Sequence, residues 1–163
     1  MREILFRGKS KEKGEWSFGQ YVHRTKYYGD EDDTNFIIED GEFDSDYYEA
    51  YEVHPDTVCQ YTGLKDKNGV LIFENDIVVY EERGIDEDIV VYGIVKFGLS
   101  SDDIQVEDAQ RLFGFYIEWI GNSNNYGIPW RDIWRPDIAY WVRKEMVTVY
   151  GNIFDNDITK LGE

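Results

Sequence analysis

One cysteine, Cys59, stands alone among 163 residues. No internal disulfide can form, and no zinc site can be built from thiolates. A lone thiol fits a reducing compartment. Histidine is nearly as scarce, with His23 and His54 only. Long apolar runs are missing too. None approaches the roughly 18 residues that a bilayer-spanning helix needs, and the opening MREILFRGKS lacks the apolar core of a secretion signal. These readings predict a cytoplasmic protein with no membrane contact. Glycine-rich phosphate loops of the Gly-x-Gly-x-x-Gly or Walker kind are also absent. Basic residues are few: 17 Lys and Arg face 34 Asp and Glu, a net charge of −17. A field of that sign repels phosphate backbones and anionic lipid, so direct non-specific binding to nucleic acid is disfavoured.

What the chain does have is aromatic surface, with 13 Tyr, 9 Phe and 5 Trp. Such rings suit half-buried strand faces and contact patches. Charge is unevenly placed. Residues 1–27 carry a net +4, residues 28–56 carry −12 with no Lys or Arg, and the remainder carries −9. A basic start beside an acidic block can attract its own neighbour or a second copy of the chain.

Short strand-like runs follow one another with turn signals about every ten residues. They are read at residues 3–8, 16–23, 35–39, 58–62, 77–80, 89–97, 111–120 and 145–154. Residues 42–53 have no clear register. His54-Pro55-Asp56-Thr57 marks a turn, since Pro55 fixes φ and Asp56 can cap. Asp66-Lys67-Asn68-Gly69 lies between apolar flanks. There Asp66 can bond back to the turn and Asn68-Gly69 can supply left-handed residues, so a hairpin is predicted. Only residues 132–143 read as helix, interrupted by Pro136. The fold class is mainly β (α+β overall), a small barrel or open sandwich. A division falls in residues 53–61, giving portions 1–60 and 61–163.

Each candidate for chemistry has a plainer reading. Asp30-Glu31-Asp32-Asp33 lacks the spaced ligands and glycine turn of a tight calcium loop, and reads as solvated. The Asp66 turn continues into apolar Val70-Leu71-Ile72, where oxygen ligands would be needed. Cys59, His54 and Asp56 are close in sequence, but an extended strand makes Cys59 a small core residue. Trp119, Trp130, Trp134 and Trp141 include the patch Trp130-Arg131-Asp132-Ile133-Trp134-Arg135, for which core and cap roles are favoured. No catalytic residue, metal ligand or cofactor site is assigned, no binding residue is identified, and no enzyme activity is expected.

The run Val53-His54-Pro55-Asp56-Thr57-Val58-Cys59-Gln60-Tyr61-Thr62-Gly63-Leu64-Lys65-Asp66-Lys67-Asn68-Gly69, continuing through Ile72-Phe73-Glu74-Asn75-Asp76-Ile77-Val78, resembles the YopX family of phage and prophage proteins. The opening Ile4-Leu5-Phe6-Arg7-Gly8-Lys9 with Trp16, the strand at Tyr116 to Trp119, and the close Val149-Tyr150-Gly151-Asn152-Ile153-Phe154-Asp155-Asn156 match it in the same order. Cys59 and Asn75 stand where the family commonly has glycine. That leaves the backbone reading intact if neither position needs positive φ. The resemblance implies an N-terminal α+β dimerisation portion and a C-terminal SH3-like small β-barrel, and it brings no catalytic residues.

Three functions follow as expectations. The first is a non-enzymatic interaction module acting on a host or phage protein in the host bacterial cytosol, a homodimer through residues 1 to about 62. The second is an acidic nucleic-acid mimic that binds a DNA-binding protein. The weakest is a nucleic-acid-binding barrel using Lys65, Lys67, Arg131, Arg135, Arg143 and Lys144.

Overall fold

A computed structural model describes residues 3–25, 33–39, 49–83, 89–100, 113–120 and 137–161. The chain divides into two units, Met1–Gly63 and Leu64–Glu163. Among the described residues there are ten strands and one α-helix.

The first unit is an antiparallel sheet. Its strands are β1 (Phe6–Lys9), β2 (Trp16–Arg24), β3 (Thr34–Glu39), β4 (Glu49–Glu52) and the start of β5 (Cys59–Lys65), in the order β4-β3-β2-β1-β5. A short turn makes β1 and β2 a hairpin. There Ser10 Oγ accepts from the Lys13 amide at 3.2 Å, and the Ser10 amide donates to the Glu15 carbonyl at 2.8 Å. The Pro55–Thr57 segment forms a single 3-10 turn, as Pro55 and Asp56 predict. Thr57 ties that turn to β1, because its Oγ1 accepts from the Lys9 amide at 2.9 Å. Register decides which side chains share a face. Val22 lies opposite Phe36 and Gln20 opposite Ile38, so Phe18, Val22, Phe36 and Ile38 share one face. Ile37, fully buried, points to the other. Burying a side chain of that size contributes about 1.5–3 kcal/mol.

In the second unit β5 ends at Lys65, and the predicted hairpin turn leads into β6 (Leu71–Phe73). A four-stranded antiparallel sheet then forms from β7 (Asp76–Glu82), β8 (Ile89–Leu99), β9 (Phe113–Ile120) and β10 (Val147–Asn152), in the order β10-β7-β8-β9. Between β9 and β10 in sequence, α1 (Ile138–Arg143) begins just after Pro136, where the proline no longer obstructs helical bonds. Asp137 caps it, its Oδ1 accepting from the Ala139 amide at 2.9 Å. The core is one apolar cluster: Ile72, Val78, Tyr80, Val95, Ile117, Ile138, Trp141 and Val147. Alternation puts Val78 and Tyr80 of β7, Val95 of β8 and Ile117 of β9 on a single sheet face, in one cluster with the helix residues Ile138 and Trp141.

The chain is mainly β; among the described residues there are two antiparallel sheets and one α-helix. No closed barrel is found among them: β9 and β10 are the two edges of the second sheet and do not pair. α1 lies in the second unit, and the described part of the first contains strands and one 3-10 turn.

Candidate functional site

Most residues singled out in sequence turn out to hold turns. Asp66 is buried, and its Oδ1 accepts from the amides of Asn68 at 2.8 Å and Val70 at 2.9 Å. Its Oδ2 accepts from the Val149 amide of β10 at 3.0 Å. With three amide donors on one carboxylate, the group is a lock and not a ligand in waiting. Of the two residues expected to be left-handed, only Gly69 has positive φ, at 83°. Asp76 is 1 % exposed, and its Oδ2 accepts from the Phe73 amide at 2.7 Å, so it caps the turn into β7. Asn75 beside it has φ 62°, so the position does need the left-handed region, which asparagine tolerates without glycine. Cys59 lies in a strand and carries no positive φ.

The family's closing motif is a second lock. Asn152 Oδ1 accepts from the amides of Phe154 and Asp155, both at 3.0 Å, and Asn156 Oδ1 accepts from the Asn152 amide at 3.0 Å. The Ile153 amide donates to the Asn75 carbonyl at 3.1 Å, which joins the two motifs.

The candidates for catalysis do not assemble. Cys59 is fully buried and its thiol donates to the Thr57 carbonyl at 3.3 Å, while His54 is exposed. His23 faces Asp33 at 3.8 Å on the surface. Among the described residues no group of three or more His, Cys, Asp or Glu is placed to hold a metal. Trp141 is fully buried, and Trp119 packs against it edge-on with centroids 5.0 Å apart. Trp141 belongs to the core, and the partly buried Trp119 packs against it. Trp130, Trp134, Arg131 and Arg135 lie outside the described residues, as do Asp30, Glu31 and Asp32. Lys65, Lys67, Arg143 and Lys144 are exposed.

Two surfaces remain. On the first unit, the basic start meets the acidic block inside one chain: Lys11 Nζ donates to Glu52 Oε1 at 2.6 Å. Lys13 sits over the Tyr51 ring at 4.4 Å, and Tyr51 donates to Glu49. The Tyr51 hydrogen bond raises the Lys13 pKa, and the Glu49 hydrogen bond raises that of Tyr51. Arg7 lies over Trp16 at 4.7 Å. Beyond this charged corner, Phe18 is 44 % exposed and Val22 40 %, on the face they share with Phe36 and Ile38. On the second unit, the far end of the β8–β9 ribbon exposes Phe97, Leu99 and Phe113. Sequence reasoning saw the strands but not this patch. The signal was present, because the apolar alternation runs on past the core at 97, 99, 113 and 115.

Comparison with known families decides what these motifs belong to. The YopX protein family matches residues 5–158, nearly the whole chain. The chain belongs to the YopX family. The match takes in both turn locks and the opening strand. A solved structure is similar over the full length of both chains: the crystal structure of protein EF1440 from Enterococcus faecalis, at 19 % identity and a TM-score of 0.48. No curated protein matches. No helix among the described residues is long and apolar enough to cross a membrane.

Proposed function

We propose that this YopX protein is a non-enzymatic interaction module, a phage or prophage product of the bacterial cytosol that self-associates through its first unit. One observation carries the reading. Phe18, Val22, Phe36 and Ile38 line up across β2 and β3 on one sheet face, and Phe18 and Val22 are 44 % and 40 % exposed. A contiguous exposed apolar patch marks a contact surface, and a two-fold arrangement lets one patch cover its own copy. The charges contribute less than their distribution in sequence promised, because Lys11 and Glu52 already pair within the chain. The second unit serves in this reading as a compact platform, an open relative of the SH3-like small barrels. Its buried carboxylates Asp66 and Asp76 accept from turn amides.

Light scattering at micromolar concentration tests the reading. A dimer is expected in wild type. Phe18→Asp combined with Val22→Asp should yield a monomer with unchanged circular dichroism. A wild-type monomer across a range of salt concentrations would remove the proposal.

A further inference from the structure

Among the described residues, the core face of the second sheet outruns what covers it. Val95 and Ile117 are buried in the cluster around α1. Two residues further out, Phe97 pairs with Phe115, and beyond that Leu99 pairs with Phe113. Alternation keeps all four on the core face. Phe115 still packs against the cluster, but Phe97 is 48 % exposed, Leu99 55 % and Phe113 73 %. The rings hold each other: Phe97 lies 4.9 Å from Phe115 and 5.5 Å from Phe113, centroid to centroid. Between the two apolar rungs stands a rung of glycine only, Gly98 opposite Gly114, with φ 146° and 156°. A Cβ built at either glycine would meet nothing within 4 Å. At that level the ribbon bears no side chains on its back, so its chemistry is one-sided and apolar.

We propose that this ribbon end is a docking surface for a cationic amphipathic segment of a partner protein, one carrying apolar anchors between Lys or Arg residues. The partner's sign follows from charge. The chain is at −17, and its second unit, Leu64–Glu163, carries −9 of that. A cationic segment is drawn to that field, and an anionic one is repelled. Exposed phenylalanine faces also attract ammonium and guanidinium groups. With roughly 200 Å² per large side chain, the three exposed residues offer on the order of 350 Å², a footprint suited to a short segment. The surface belongs to the second unit, and the proposal does not rest on self-association of the first.

The test uses a fluorescein-labelled peptide of alternating Leu and Lys, with Gly–Lys and Leu–Glu peptides as controls, read by anisotropy against the full chain at physiological salt. The Leu–Lys peptide should bind at least about tenfold more tightly than either control. Phe113→Gln should weaken it by about tenfold or more, while Ile4→Asp, an exposed position of the first unit, leaves it unchanged. Circular dichroism checks each variant. Should Phe113→Gln fail to fold, Leu99→Gln answers the same question. Equal binding of the Gly–Lys peptide would show charge alone at work and overturn the proposal. Unchanged binding in a folded Phe113→Gln or Leu99→Gln would overturn it as well. So would a dimer that Phe113→Gln splits, since a second copy would then be the occupant.

Discussion

In the first unit the buried residues include Arg7, Ser10, Ser17 and Asn35 beside Ile37, Val53, Cys59 and Tyr61. In the second, the cluster around Trp141 is apolar but for the Tyr80 hydroxyl and the Trp141 indole N–H, and the buried polar side chains Asp66, Asp76 and Asn152 accept from turn amides. The contrast follows from what each sheet has to work with. The described part of the first unit has no helix to lay on its sheet, and it holds interior positions with hydrogen bonds such as Tyr21 Oη to Asn35 Oδ1 at 2.6 Å. The second has α1, whose Ile138 and Trp141 fill one face. A helix six residues long covers only part of an eleven-residue strand. The uncovered remainder is the ribbon end. Each unit thus exposes apolar surface where its covering elements run out.

The largest expected effect breaks the comparison at its apolar end. Trp141→Ala empties the centre of the second cluster, where Tyr80, Trp119 and Tyr140 all meet the indole. It should cost about 3–5 kcal/mol in urea unfolding. A loss below about 1 kcal/mol would mean that the helix is not what organises this unit.

Next comes the turn lock. Asp66→Ala strips three backbone amides of their acceptor and should cost about 2–3 kcal/mol. Asp66→Asn keeps one side-chain oxygen and should cost less. If the two variants unfold at the same urea concentration, the bonds that the retained oxygen accepts carry no weight.

Tyr21→Phe sharpens the other side of the contrast. It removes the donor to Asn35 without opening a cavity, and about 0.5–1.5 kcal/mol should be lost. No change at all would mean that the polar interior of the first unit is not held by this bond.

Smallest is a pH effect at Glu74. Burial raises its carboxyl above the ordinary value of 4.5, and Lys96 partly offsets this. The folded state therefore holds the proton more tightly than the unfolded chain. Stability falls as pH rises from 4.5 through the raised folded value. Glu74→Gln should flatten the thermal stability profile across that window by a fraction of a kcal/mol, the half-exposed site being screened by water. An unchanged slope would count against the burial of this carboxyl.

Local chemistry was legible without coordinates wherever it closes on itself within a few residues. The Asp66–Gly69 hairpin, the Pro55 turn, the Asp76 cap and the start of α1 after Pro136 all follow from one residue type acting on its own backbone. So does the mainly β class, which rests on alternation and turn spacing. The left-handed Asn75 was harder, because asparagine enters that region only when its surroundings ask for it. What the tertiary structure decided is which chain neighbours pair and which faces stay bare. Asp66 reaches Val149 across 83 positions, and nothing in either neighbourhood encodes that distance. The basic start and the acidic block could satisfy each other within one chain or between two, and the pairing of Lys11 with Glu52 shows the first for that pair. Phe97, Leu99 and Phe113 lie on the core face by alternation. They are exposed because periodicity reports the face a side chain points to, not whether anything lies on that face.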